Sequence, residues 1–395
     1  MLNILIERYY EMLNKFLRLI LLLSIGLITL VVSSRPSSFV LADSAKSNEL
    51  NVAVRSATQK DLITEYPISG SALNIVSSAP NNVWFTMPAS NKIGNLTIDA
   101  DGIVTINEYS ALTANSEPYD LVYDGNLNVI WFTQKSANQL GRFDIATETM
   151  SEISTIPTAN SMPTGISIAP DGSIWFAESG TNKLGQYVPS TNSINESAAY
   201  VPATAGVTNA EFTDVVISSS GDRIWVSAPA DHKVLQYSTQ TSTFSSLALS
   251  APLDPILGTT RRPYNLTVAP NNIVWLTDIA NNQIGQLFQG TLANVAWYTL
   301  PTSNSNPAGI AFGDTGGSGT IFFTGSTTDR VGSLTNSNDS TIVPSEYGLA
   351  NGSQPAGITV DSSGNVWIAQ GGSNTIALWS APYYQTIYLP IIERN

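Results

Sequence analysis

Three carboxylates, Glu117, Glu178 and Asp278, are the strongest candidates for chemistry in this chain. Oxygen ligands of this kind suit a hard divalent cation of the Mg2+ or Ca2+ type. Tyr119, Gln134, Arg262, Tyr264 and Gln370 stand at matching places and are candidates to hold a ligand. Other sources of chemistry are few. There is one histidine, His232, and no cysteine, which excludes disulfides and thiol chemistry.

A repeat brings these residues together. Large aromatics recur at Trp84, Trp131, Trp175, Trp225, Trp275, Phe322 and Trp367, in the contexts VWFT, IWFT, IWFA, IWVS, VWLT, IFFT and VWIA. Nine residues after each comes an aliphatic: Ile93, Leu140, Leu184, Val234, Ile284, Val331 and Ile376. The distance between copies varies from 44 to 50 residues, so a fixed structural unit is joined by variable loops.

Residues 150–201 show one unit clearly. Ile166–Ala169 alternates as a strand, and Pro170-Asp171-Gly172 makes a tight turn. Ser173–Ala177 is a second strand, Lys183–Val188 a third, and Ser193–Tyr200 a looser outer one. Four short strands per period of about 45 residues predict an all-β, seven-bladed β-propeller of four-stranded antiparallel blades. Seven sets of inner strands face eight candidate outer strands. We expect residues 62–67 to complete the seventh blade by pairing outside Ile376–Ser380, which closes the ring and removes an exposed edge. The aromatics then pack between blades and are not catalytic candidates.

The same geometry separates two faces. Turns of the Pro-Asp-Gly type lie on one; the turn after the second strand and the lead-in to the first lie on the other. Two positions per blade are expected to ring that mouth. One follows the aromatic motif and includes Gln134, Glu178, Asp278 and Gln370; the other precedes the first strand and includes Glu117, Tyr119, Arg262 and Tyr264. Such a mouth is the expected site for a small-molecule or peptide ligand. The same three carboxylates also fit a solvated rim. His232 takes the turn position held elsewhere by Asn91, Asn138, Asn182, Asn282, Asp329 and Asn374, so a turn residue is its simpler reading. Arg261 and Arg262 read either as a carboxylate clamp or as an ordinary exposed pair.

The ends carry a different signal. Leu19–Val32 is an apolar run preceded by Lys15 and Arg18, short for a membrane span. We read 1–42 as a signal peptide cleaved after Ala42, with Met12 as an alternative start and an uncleaved anchor as the alternative fate. Residues 43–61 read as a linker, 62–382 as the propeller, and 383–395 as a tail that is either an added edge strand or an interaction peptide. A secreted, bacterial, monomeric protein is expected, free of the membrane after cleavage. The 17 Lys and Arg against 30 Asp and Glu, a net charge of −13, argue against nucleic acid or an anionic membrane surface as partner.

The repeat, W-F-T followed by N-x-I/L-G and fed by P-x-G-I, resembles the streptogramin B lyase family, the virginiamycin B lyase-like propellers. Pro163-Thr164-Gly165-Ile166, Trp175-Phe176-Ala177-Glu178 and Asn182-Lys183-Leu184-Gly185 carry the likeness, which covers nearly all of 62–382. The resemblance implies a Mg2+-dependent carbon–oxygen lyase that opens a cyclic depsipeptide ester by elimination, using a base histidine in an E-P-H-G-I lead-in and carboxylates that bind the metal. Here Glu117-Pro118-Tyr119-Asp120-Leu121 is the nearest match. Glu117 matches a metal ligand, Tyr119 stands where the base histidine belongs, and Gln134 stands in place of the second carboxylate; Glu178 keeps that carboxylate in the next blade. A tyrosine with a pKa of about 10 is a poor base at neutral pH. Tyr119 and His232 are the candidate bases if the chain is an enzyme. A ligand-binding or interaction module without the family's histidines is the leading expectation, with the lyase and a metal-dependent lactonase as alternatives.

Overall fold

The structure, a computed structural model, describes residues 37–42, 50–56, 63–153, 156–249, 261–287, 295–313, 319–335, 342–380 and 386–389. The chain divides into two compact units: Leu62–Ala381, and a smaller one made from Met1–Asp61 and Pro382–Asn395.

The larger unit is a seven-bladed β-propeller with four antiparallel strands in each blade. In the third blade these are Pro163–Ile168, Ile174–Glu178, Lys183–Val188 and Ser193–Glu196, from the axis outward. The ring closes as expected. Ile63–Pro67 pairs outside Thr375–Trp379, with Ile63 opposite Trp379 and Pro67 opposite Thr375. Among the described residues there is no α-helix, only 3-10 turns at Pro88–Ser90, Pro229–Asp231 and Pro270–Asn272.

The repeated residues each have a packing role. All seven aromatics are buried. They pack between neighbouring blades: Trp131 of the second blade meets Tyr187 of the third, ring centroids 5.4 Å apart. A buried ring of this size removes about 150–250 Å² from water, an upper bound of about 4–6 kcal/mol each.

The glycine after the aliphatic is explained by size. Gly141 lies opposite Phe132, and a Cβ there would sit 2.0 Å from the ring. Where the second strand carries the smaller Val226, the opposite residue is Leu235; where it carries Ile368, it is Ala377.

The threonine of the aromatic motif stitches blades together. Thr133 Oγ1 donates to Thr164 O at 2.8 Å, and Thr86 Oγ1 donates to Tyr119 O at 2.9 Å. The third blade has Ala177 at this position, and Thr164 supplies the hydroxyl instead, donating to Phe212 O at 2.9 Å. Carboxylates on the outer strands pin the loops that arrive from the preceding blade. Glu196 accepts the Thr158 N–H at 2.8 Å, and Glu152 accepts the Thr113 N–H at 2.7 Å.

In the smaller unit, Ser37–Ala42 pairs antiparallel with Leu50–Ser56, which pairs in turn with Thr386–Leu389. Leu50–Ser56 falls within the stretch read as a linker, and Thr386–Leu389 within the stretch read as a tail. The apolar run Leu19–Val32 lies outside the described residues. No helix among the described residues is long and apolar enough to cross a membrane.

Candidate functional site

One face of the ring is built by two segments of each blade, which hydrogen-bond to each other in six blades; the first has Pro88, without an N–H, at that point. The turn after the second strand donates to the lead-in of the first: Lys135 N to Glu117 O at 3.1 Å, Ile279 N to Arg262 O at 3.1 Å, and Gly371 N to Gln354 O at 3.3 Å. The turn residue that follows has a left-handed backbone in all seven blades, from Asn91 (φ 54°) to Asn374 (φ 54°). Asparagine tolerates that conformation and adds local bonds. Asn138 Oδ1 accepts the N–H and the hydroxyl of Ser161 in the next blade, at 2.8 and 2.6 Å.

His232 does the same work with φ 58°. Its Nδ1 lies 2.8 Å from Arg261 O. A carbonyl oxygen only accepts, so Nδ1 carries the proton, and the ring is a clamp between blades. It does not line the central cavity.

Most of the expected ring after the second strand is turned into the blades. Gln134, Glu178, Asp278 and Gln370 are fully buried and none lines the cavity. Gln134 Nε2 donates to Glu152 Oε1 at 3.3 Å. Gln370 Oε1 accepts from Thr375 Oγ1 at 2.7 Å and from Ser373 Oγ at 3.1 Å. Glu178 accepts from Thr181 Oγ1 at 2.7 Å; burial pushes its carboxyl up to about 7 against the pull of that bond, and Glu196 adds to the rise. Asp278 is held by Arg261 Nη1 at 2.9 Å, Asn281 Nδ2 at 2.8 Å and Arg262 N at 2.9 Å. Arg261, in turn, lies 3.5 Å over the Trp297 ring. Arg262 is exposed and lies 3.6 Å from Glu211, so the two arginines do not act as one clamp.

The structure does not bring Glu117, Glu178 and Asp278 together. Glu117 accepts from the Ser136 hydroxyl on the rim, Glu178 lies inside a blade and Asp278 is neutralised by Arg261. Among the described residues no three acidic or histidine side chains are arranged to hold a metal ion. These residues therefore do not fit the cation that the resemblance implies.

Beneath the mouth lies a central cavity of about 510 Å³, lined by the lead-ins and first strands of all seven blades. Tyr119 and Tyr264 line it, the two predicted ligand-binding residues that reach the axis. They come from the second and fifth blades, and Tyr264 is near enough to act on the Tyr119 hydroxyl. Burial, with Tyr264 adding, raises the Tyr119 hydroxyl well above the ordinary tyrosine range, and Lys135 Nζ sits 4.6 Å from its ring centroid.

Next to the tyrosines is a set that the sequence reading passed over: Asn74, Asp120, Asp214 and Asn265, each just before the first aliphatic of its strand. Gly165, Gly309 and Gly357 hold this place in the other blades. The departure from glycine was the available signal. Asp120 accepts Leu121 N at 2.9 Å and, across the blade boundary, Ile166 N at 3.1 Å. Asp214 accepts Val215 N and Leu266 N, both at 2.7 Å. Gly165 leaves the space they need, since a Cβ there would sit 2.5 Å from Asp214 Cα. Burial, and for Asp120 the charge of Asp214, raise the two carboxyls to about 8 and about 6.

Residues 202–382 match the virginiamycin B lyase family. A streptogramin B lyase structure superposes with a TM-score of 0.67 at 24% identity, covering 80% of this chain and 96% of the other. A catalytically inactive histidine-to-alanine variant of virginiamycin B lyase from Staphylococcus aureus, with quinupristin, superposes with a TM-score of 0.66 at 22% identity, covering 80% and 98%. At these identities the likeness establishes the fold. Among curated protein sequences none matches.

Proposed function

From the premise that this chain is a streptogramin lyase-like seven-bladed β-propeller, we propose that it is a secreted ligand-binding module that takes a small molecule or peptide at the central cavity and does not run the family's elimination. One observation carries this reading. The position that the resemblance gives to the base histidine is Tyr119, a cavity-lining tyrosine whose hydroxyl is raised above the ordinary tyrosine range by burial, with Tyr264 adding. A general base must be free to take a proton near the working pH, and Tyr119 is the reverse. His232 is engaged away from the cavity. What is left at the axis is a cavity of the size that small-molecule sites have, with apolar walls and a few convergent polar groups.

The test uses a cyclic streptogramin B incubated with the protein, with and without Mg2+, followed by chromatography with mass detection. Elimination opens the ring at constant mass. The expected result is no product in either condition. A new peak of equal mass, abolished by chelator, would overturn the reading and direct attention to Tyr119 and His232 as bases.

A further inference from the structure

We propose that the central cavity is a site for an organic cation, an amine-bearing small molecule whose ammonium group sits against Asp120 and Asp214. The inference rests on the ligand-binding reading above and names the class of ligand.

Of the five acids buried among the described residues, four are matched by a cation or by several donors, and Glu178, with the Thr181 hydroxyl, is the exception. Asp231 is paired with Lys233 at 2.8 Å and Asp278 with Arg261 at 2.9 Å. Asp124 and Asp361 have no cation among the described residues but take three or more N–H donors each. Asp124 takes the N–H groups of Asn126, Leu127 and Trp131, and Asp361 takes those of Asn81, Ser363, Asn365 and Trp367. Asp120 and Asp214 have two backbone N–H groups each, no cation among the described residues, and each other's charge nearby. A carboxylate has about four acceptor positions, so about half of theirs are unused. Both side chains are half-buried at the cavity wall, where a carboxylate gains from a counter-charge.

The cavity is built to accept that counter-charge from outside. Among the described residues no Lys, Arg or His lines it. Its titratable groups are Tyr119, Tyr264, Asp120 and Asp214, with Glu117 adding negative charge near Tyr119. The Tyr264 ring offers a π face to a cation, whereas Lys135 Nζ already lies 4.6 Å from the centroid of the Tyr119 ring. Asn74, Asn265 and Asn306 bring amide groups to the same space, and aliphatic residues such as Ile75, Ile166 and Ile310 make the walls for the ligand's carbon frame.

The proton balance follows. With both carboxyls raised, the pair retains a proton for part of the time near pH 7. An arriving ammonium replaces it, so the complex forms with release of up to one proton to solvent. No covalent bond changes.

Three probes of one shape test this: cyclohexylammonium, cyclohexanol and cyclohexanecarboxylate, titrated calorimetrically into the full chain at pH 7 in two buffers of different ionisation enthalpy. The ammonium is expected to bind about tenfold or more tighter than the alcohol, with buffer-dependent heat that reports proton release, and the carboxylate not to bind. Asp120→Asn and Asp214→Asn, each checked for a retained cooperative melting transition, are expected to abolish the preference. Equal or tighter binding of the alcohol or the carboxylate overturns the cation class and leaves the ligand-binding reading standing. Displacement of cyclohexylammonium by Mg2+ or Ca2+ at equal concentration overturns it in favour of a metal. Absence of any binding, or binding without proton release, overturns it even if neither variant folds.

Discussion

Asp214 and Asp231 belong to the same blade, yet their surroundings drive them in opposite directions. Asp231 sits in the turn after the second strand, 1% exposed, with Lys233, the hydroxyl of Tyr200 and the N–H of Thr204 all on its carboxylate. Burial alone would raise its carboxyl, but these partners outweigh it and hold the group well below the usual carboxylate range. Asp214 faces the axis with two N–H groups and the charge of Asp120. There burial wins and the carboxyl rises to about 6. The contrast teaches that the donors within reach, and not the blade, decide the state of a carboxylate: Asp231 has a cation and several donors, Asp214 two N–H groups alone.

The largest expected effect comes from breaking the complete network. Asp231→Ala leaves Lys233 buried without its partner and is expected to cost about 3–5 kcal/mol, read as a lower urea midpoint; a loss under about 1 kcal/mol would erase the contrast. The pH dependence of stability sharpens it. For Asp120 and Asp214 the folded values, about 8 and about 6, lie above the ordinary value of 3.8. The folded state holds protons more tightly, so their contribution is complete below about pH 4 and is lost as pH rises towards 8. For Asp231 the sign reverses: its contribution is present above about pH 4 and is lost as pH falls. Urea midpoints measured from pH 3 to pH 9 should therefore fall on both sides. Asp120→Asn should flatten the alkaline side alone and make the protein more stable than the parent above pH 8. The smallest effect belongs to Arg262→Ala, whose partner Glu211 is 3.6 Å away on an exposed rim; less than about 0.5 kcal/mol is expected.

The sequence made the fold legible because each repeated residue answers one local need. The aromatic fills the space between blades, Asn138 and its equivalents turn the chain with positive φ, and Gly141 yields to Phe132. Even ring closure followed from an excess of outer strands over inner sets. The site was less legible for a geometric reason. Gln134, Glu178, Asp278 and Gln370 stand at the right end of the blade, but burial and bonding direct their side chains into it. Counting positions locates a residue along a strand without telling whether it looks towards the axis or away. Tyr119 and Tyr264 were found because the lead-in itself lines the axis. Asp120 and Asp214 were passed over because the P-x-G-I pattern marks their place as glycine, a backbone position without a side chain to weigh.

The closure of the ring by Ile63–Pro67 against Thr375–Trp379 sets an order in time. The strand that completes the seventh blade is the first of the propeller to be made, and its partner is the last. At roughly 5–20 residues per second it waits about 15–60 s for that partner during synthesis. Contacts between residues so distant along the chain form slowly in any case. Six blades can assemble while the seventh lacks its outer strand and Thr375–Trp379 has not yet emerged. The seam is then the final step of folding and the first place where the ring opens, and its amide hydrogens should exchange ahead of those in the six blades built from continuous chain.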